Sequence, residues 1–309
     1  METNKVREKL IEVYTKSLEE NVVPWRRTWT FESPVNPVTG KKYRGINFLV
    51  LKSAELDDPR WMTFNQAKQQ KWNVKKGEKG TTVEFWSIYD TETKKSVDFD
   101  DYNDLPLEEK LTAKFKLNVK YYTVFNAKQI ENIPAYVKVQ NPIKLNDIEE
   151  KFLPKLIKNM EVEVVHNNGG KAYYAPLQDK VCLPFKENFE DGYSYSATLL
   201  HELGHATGNK KRLDRDLTGR FGSESYAKEE LRAEIAASFV AGELNLDPNK
   251  AVDDENHKAY IQGWVKFLKD KPNELFKAIS DAQKIANYLE EKGELKLMKK
   301  NIKDKGMER

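Results

Sequence analysis

The residues best equipped for chemistry are HELGH at 201–205. Two histidines four apart on a helix leave from one face, so both imidazoles can hold the same cation. Glu202 stands beside them, where a carboxylate can accept a proton from water that a cation has acidified to a pKa of about 7. With four histidines in 309 residues, the pattern rarely arises by chance. It implies a zinc-peptidase type of site. A third histidine six residues after His205 would mark one subclass of such sites, but position 211 is lysine, which excludes it. Downstream, EELRAE offers Glu229, Glu230 and Glu234 at about the distance from which a His/His/Glu site takes its carboxylate. Asp214 and Asp216 are nearer alternatives. His166 and His257 read as structural or surface histidines, and Tyr226 as a candidate oxyanion donor.

The elements that must position these groups follow from periodicity. A helix over about 195–207 carries the motif, with Leu199, Leu200 and Leu203 on its core side and Gly208 as its C-terminal stop. A second helix over about 226–244 carries EELRAE. Ahead of them come a helix near 146–159, a strand at 160–166, NNGG as a hairpin turn at 167–170, and a strand at 179–184. The chain from His257 onward reads as helical. The first half opens with an amphipathic helix over 4–20, with Val6, Leu10, Val13, Tyr14 and Leu18 on one face. Thr63 with Gln66 forms a capping box opening a short helix. TTVEFWSIY (81–89) and AKFKLNVKYYTVF (113–125) read as strands, the latter with Phe115, Leu117, Val119 and Tyr121 inward and Lys114, Lys116 and Lys120 outward. The acidic stretch 90–110 reads as a solvated loop. The expected architecture is α+β in two domains: 1–132 around an antiparallel sheet, a linker over 133–145, and 146–309 carrying the metal motif and a helical tail.

Composition bounds the setting. The single cysteine, Cys182, precludes a disulfide framework and suits a reducing, cytoplasmic compartment. No segment has the apolar length of a signal h-region or a membrane span. The net charge of +3 hides an asymmetry. Residues 21–88 hold 12 Lys and Arg against 6 acids, whereas 90–109 hold 8 acids against 2 lysines, and five of the six tryptophans precede residue 90. Bases stack on aromatic faces while Lys and Arg track phosphates. PWRRTW, GKKYRG and WNVKKGEKG each combine the two, giving Trp25, Arg26, Trp29, Lys41, Arg44, Trp72, Lys75, Lys76 and Lys79 as candidate contacts to single-stranded DNA.

VVPWRRTW, NPVTGKKYRGINFLVL, WMTFNQA, VKKGEKGTTVEFW, YYTVFNAKQIE, LLHELGHATG and RFGSESYAKEELRAE resemble, in order and spacing, ArdC-type antirestriction proteins. The resemblance covers most of 5–245. It implies an N-terminal domain that binds single-stranded DNA and a C-terminal zincin-like metallopeptidase domain, serving antirestriction for a conjugative plasmid or related mobile element. It also implies a Zn2+ or other divalent metal on His201, His205 and a Glu of EELRAE, and a DNA-bound protein as possible substrate. Ala206 departs from the family, where an aromatic residue is common; the change touches helix packing. The C-terminal half is also similar in plan to Spartan-like proteases that act on DNA-bound proteins, and a DNA-shielding protein with a purely structural metal is the other alternative.

Within EELRAE the expected ligand is Glu230. Adjacent helical residues diverge by about 100°, and residues four apart share a face, so Glu230 pairs with Glu234. That face alone supplies a ligand together with a carboxylate to orient an imidazole through its other nitrogen. Glu229 is expected to have little effect.

Overall fold

The computed structural model describes residues 2–20, 22–24, 32–97, 102, 105–110, 114–137, 143–220, 222–244, 246 and 255–307. The fold is α+β, with an antiparallel sheet in the first half and a helical assembly on a small mixed sheet in the second.

In the first half, helix α1 (Glu2–Glu19) is followed by α2 (Ile46–Lys52), strand β1 (Trp61–Thr63), α3 (Phe64–Gln69), β2 (Asn73–Val74), β3 (Thr81–Asp90), β4 (Lys95–Val97), β5 (Phe115–Asn126) and β6 (Ile130–Glu131). The expected capping box is present: Thr63 Oγ1 accepts from the Gln66 amide at 3.2 Å, and the Gln66 side chain accepts from the Thr63 amide at 3.0 Å. The main sheet runs β1-β5-β3-β4, all antiparallel. The stretch expected to be a solvated loop therefore contributes an edge strand and a short helix, Leu107–Lys110. Leu51 of α2 packs with Trp61, Val83 and Val124 on one end of the sheet.

Leu117, expected to face inward, is 62% exposed. Its face of the sheet is covered by α1, whose Arg7 pairs with the buried Glu84 at 2.8 Å and lies over Trp86, but Leu117 lies further along the strand. Leu10, Tyr14 and Leu18 of α1 are buried, while Val13 falls on the exposed rim of the stripe. They join a core shared with the second half.

That half begins with a helical run through Leu145–Asp147 and a π-helical stretch, Ile148–Phe152, into α4 (Leu153–Met160). Strands β7 (Glu163–Asn167), β8 (Tyr173–Ala175) and β9 (Lys180–Pro184) follow, then α5 (Gly192–Ala206), α6 (Glu224–Leu244), α7 (Glu255–Asp270), α8 (Glu274–Lys292) and α9 (Leu295–Met307). The sheet order is β7-β9-β8, β9 parallel to β7 and antiparallel to β8. NNGG therefore does not close a hairpin. The run Val181, Cys182, Leu183 and Pro184 is buried throughout, which demands the central position with both faces covered, so β9 separates the two strands flanking NNGG. α1 packs against α7, and α8 against α6, so the helices of both halves enclose one core. No helix among the described residues is long and apolar enough to cross a membrane.

Candidate metal centre

α5 is set by its own sequence. Asp191 caps it, accepting from the Ser194 amide at 2.8 Å, and Leu199, Leu200, Leu203 and Ala206 are fully buried. The helix ends at Ala206. Gly208 does not adopt a left-handed conformation, contrary to its expected capping role. A Cβ there would lie 2.8 Å from a Leu217 methyl, so the glycine makes room for the return of the following loop.

α6 crosses α5 at small residues. A Cβ on Gly204 would lie 3.7 Å from Ala233, leaving room for little more than a methyl. This close approach brings EELRAE onto the histidine face. His201 Nε2 and His205 Nε2 are 3.1 Å apart, and the two oxygens of Glu230 lie 3.5 Å and 3.4 Å from them respectively. With one donor atom from each residue, the three lie within 4.8 Å of one another, close enough to converge on a single cation. They are the one group of this kind among the described residues. The imidazoles are largely buried, His201 being the more open of the two.

The other ring nitrogens also face carboxylates. Glu234 Oε1 lies 3.9 Å from His201 Nδ1, on the same helix face as Glu230. Glu229, expected to matter little, lies 3.4 Å from His205 Nδ1 and is buried. Arg215 holds it with bonds of 2.6 and 3.2 Å, and ties itself to the Gly204 carbonyl and the Thr207 hydroxyl. Spacing alone singles out one glutamate for the cation, but two imidazoles present two further nitrogens in different directions, each wanting an acceptor. Glu234, one turn from Glu230, faces one of them, and Glu229, about 100° round the helix from Glu230, faces the other. Arg215 sits in a loop and carries no comparable signal.

Burial governs the electrostatics. For Glu230 it would raise the carboxyl pKa, but the facing imidazoles of His205 and His201 overrule it and hold the carboxylate well below its usual range. Burial likewise opposes the low value of Glu229, which His205 and Arg215 impose. Glu202 is the exception: burial raises its pKa and its neighbours do not reverse this. The imidazoles of His201 and His205 and the nearby Tyr174 backbone of β8 pull it the other way without offsetting burial. His166 lies apart, its Nε2 3.0 Å from the Tyr195 hydroxyl. Asp216 accepts from Thr218. The side chain of His257 lies outside the described residues.

The candidate DNA residues separate into three groups. Trp25, Arg26 and Trp29 lie outside the described residues. Lys41, Lys75, Lys76 and Lys79 are exposed, the last three on a turn whose Gly77 has φ +90°, a conformation that favours glycine. Gln129 pins that turn through Glu78 and the Lys79 carbonyl. Trp72 packs with Met62, Ala67 and Ile130, and Arg44 is engaged by Asn287 and Glu290 of α8.

Residues 151–281 match the zincin-like metallopeptidase model, and 4–125 match the N-terminal domain of anti-restriction factor ArdC. The DNA primase TraC of Escherichia coli is 39% identical over 92% of this chain, which spans only 19% of that protein's length. Two crystal structures of the antirestriction protein ArdC from plasmid R388, one metal-free and one Mn(II)-bound, superpose with a TM-score of 0.70 each. They share 32% and 31% identity, over 93% of this chain and 97% of theirs. The chain belongs to the ArdC family of antirestriction proteins, joining an ArdC N-terminal domain to a zincin-like metallopeptidase domain.

Proposed function

We propose that this protein serves antirestriction in the cytoplasm for a mobile element, with residues 1–132 binding single-stranded DNA and 146–309 acting as a metallopeptidase on proteins at that DNA. The observation that carries the catalytic part is the convergence of His201, His205 and Glu230, the two Nε2 atoms 3.1 Å apart and each 3.4–3.5 Å from an oxygen of Glu230. Two imidazoles and a carboxylate suit Zn2+, and three protein donors, rather than the four of structural sites, leave a position for water or substrate. Bound Mn(II) in the R388 relative argues that another divalent ion also fits. When bound, the cation supplies Lewis acidity at the scissile carbonyl and acidifies water.

The chain's own groups do the rest. Glu202 has its proton affinity raised by burial, which suits it to take a proton from the attacking water and return it to the departing amine. Glu229 and Glu234 orient His205 and His201 through their Nδ1 atoms. The N-terminal half supplies the exposed lysines of the 75–79 turn as phosphate contacts.

The test is a pair of variants. His201→Ala loses stoichiometric zinc by elemental analysis, whereas Glu202→Ala retains it and loses both proteolysis and restriction protection. A full equivalent of zinc in His201→Ala refutes the site. Protection undiminished in Glu202→Ala favours DNA shielding with a structural metal instead.

A further inference from the structure

The two faces of the β3–β5 ladder differ in charge. The face toward α1 carries both acids of the ladder, Glu84 and Asp90, and no base. The opposite face carries Lys116 and Lys120 and no acid. On that second face two large rings stand in solvent: Phe85 is 55% exposed and Tyr122 42%. They meet edge to face, centroids 6.0 Å apart, and Lys120 is the direct cross-strand partner of Phe85. Leu51 of α2 covers Val83 and Val124, so the core closes one end of this face and the rings stand beyond it.

The open strip runs away from that closed end. Lys120 is the cross-strand partner of Phe85 and Lys116 of Tyr89, so from Phe85 to Tyr89 it spans about 13 Å at 3.3 Å per residue. Both lysines are exposed, one beside the aromatic pair and one beyond it. The basic turn lies past the closed end, where a Cβ on Gly80 would lie 2.4 Å from a methyl of Thr123 on the α1 face.

We infer that this sheet face is a stacking platform for the bases of single-stranded nucleic acid, with Phe85 and Tyr122 as the stacking rings and Lys116 and Lys120 as phosphate contacts. The inference rests on the proposed binding of single strands by the N-terminal half and assigns its bases a seat. Ring faces accept any base, and a sheet whose amides are bonded along the ladder offers no sequence readout, so binding is indifferent to sequence. A protein partner fits less well, because protein interfaces are depleted in lysine and an apolar docking patch would be continuous.

The experiment uses the full chain and a fluorescein-labelled oligothymidylate of about 12 nucleotides, within the usual range for such sites. Anisotropy titrations are run at several salt concentrations. Phe85→Ala and Tyr122→Ala each weaken binding roughly 5- to 100-fold, with melting temperatures unchanged because both rings are exposed. Phe85→Trp retains binding. Lys120→Ala lowers the slope of log K against log[salt] by about 0.7. If the wild type binds with normal salt dependence and both alanine variants bind equally well, the platform is refuted and the lysine turn alone carries the DNA. If the wild type itself shows no salt-dependent binding, the single-strand reading fails, and the platform with it. If the alanine variants lose a protein partner but not the oligonucleotide, the face is a protein-docking surface and the inference is overturned.

Discussion

Glu243 offers a stability test whose pH dependence can be worked out in advance. It lies at the end of α6, and its Oε2 is 2.8 Å from Lys42 Nζ and 2.5 Å from Lys299 Nζ. Three segments distant in sequence, from the N-terminal half, α6 and α9, thus meet at one carboxylate that is nearly buried. Burial would raise its pKa, but the two ammonium groups bring it down to about 2 from an ordinary 4.5. A carboxyl depressed on folding contributes stability above its unfolded pKa and loses it as pH falls through the folded value. The 2.5-unit difference corresponds to about 3 kcal/mol at pH 7, falling to roughly half of that by pH 3. Lys42 is partly solvated, so about 2 kcal/mol is the expected net effect. Glu243→Gln keeps the shape and can still accept from Ser33 Oγ, but deprives Lys299 of its nearest counter-charge. Urea unfolding of the variant beside wild type should therefore show a deficit near 2 kcal/mol at pH 7 that shrinks between pH 4.5 and 3. A deficit that is absent, or that stays constant over this window, refutes the electrostatic clamp.

Glu229→Ala should reduce zinc affinity about 10- to 100-fold in a competitive chelator titration, because His205 Nδ1 loses its acceptor while the ligands remain; unchanged affinity would leave Glu229 as a structural partner of Arg215 only. Gly293→Ala should destabilise by about 1–3 kcal/mol in thermal unfolding, since its Cβ would lie 2.1 Å from the buried Phe152 ring; an unchanged melting temperature would show that the ring yields freely.

Much of the site was legible because its signals are local. His201 and His205 share a helix face by spacing alone, and the pairing of Glu230 with Glu234 follows from the same period. The Thr63–Gln66 capping box and the alternation of β5 are equally short-range. What escaped depends on partners far along the chain. Arg44 reads as a free cation in GKKYRG, yet Glu290 and Asn287 of α8 hold it. The place of β9 between β7 and β8 is decided by which strand can be buried on both faces, not by the turn that joins its neighbours. Glu229 looked redundant until Arg215, fourteen residues earlier, and the second nitrogen of His205 both required it.

The packing of α1 on α7 has a consequence for synthesis on the ribosome. The buried stripe Leu10, Tyr14 and Leu18 shares its core with Trp264, Phe267 and Leu268, and Lys269 pairs with Glu19 across the same contact. Some 236 residues separate the end of α1 from the start of α7. At about 5–20 residues per second, α1 waits roughly 12–47 s for its partner to be translated. Throughout that interval the apolar stripe of this amphipathic helix lacks the cover of α7, although the described strands have all been made. Closure of the core is thus among the last events of translation, and a chain stalled before α7 presents α1 as a sticky, chaperone-recognisable segment.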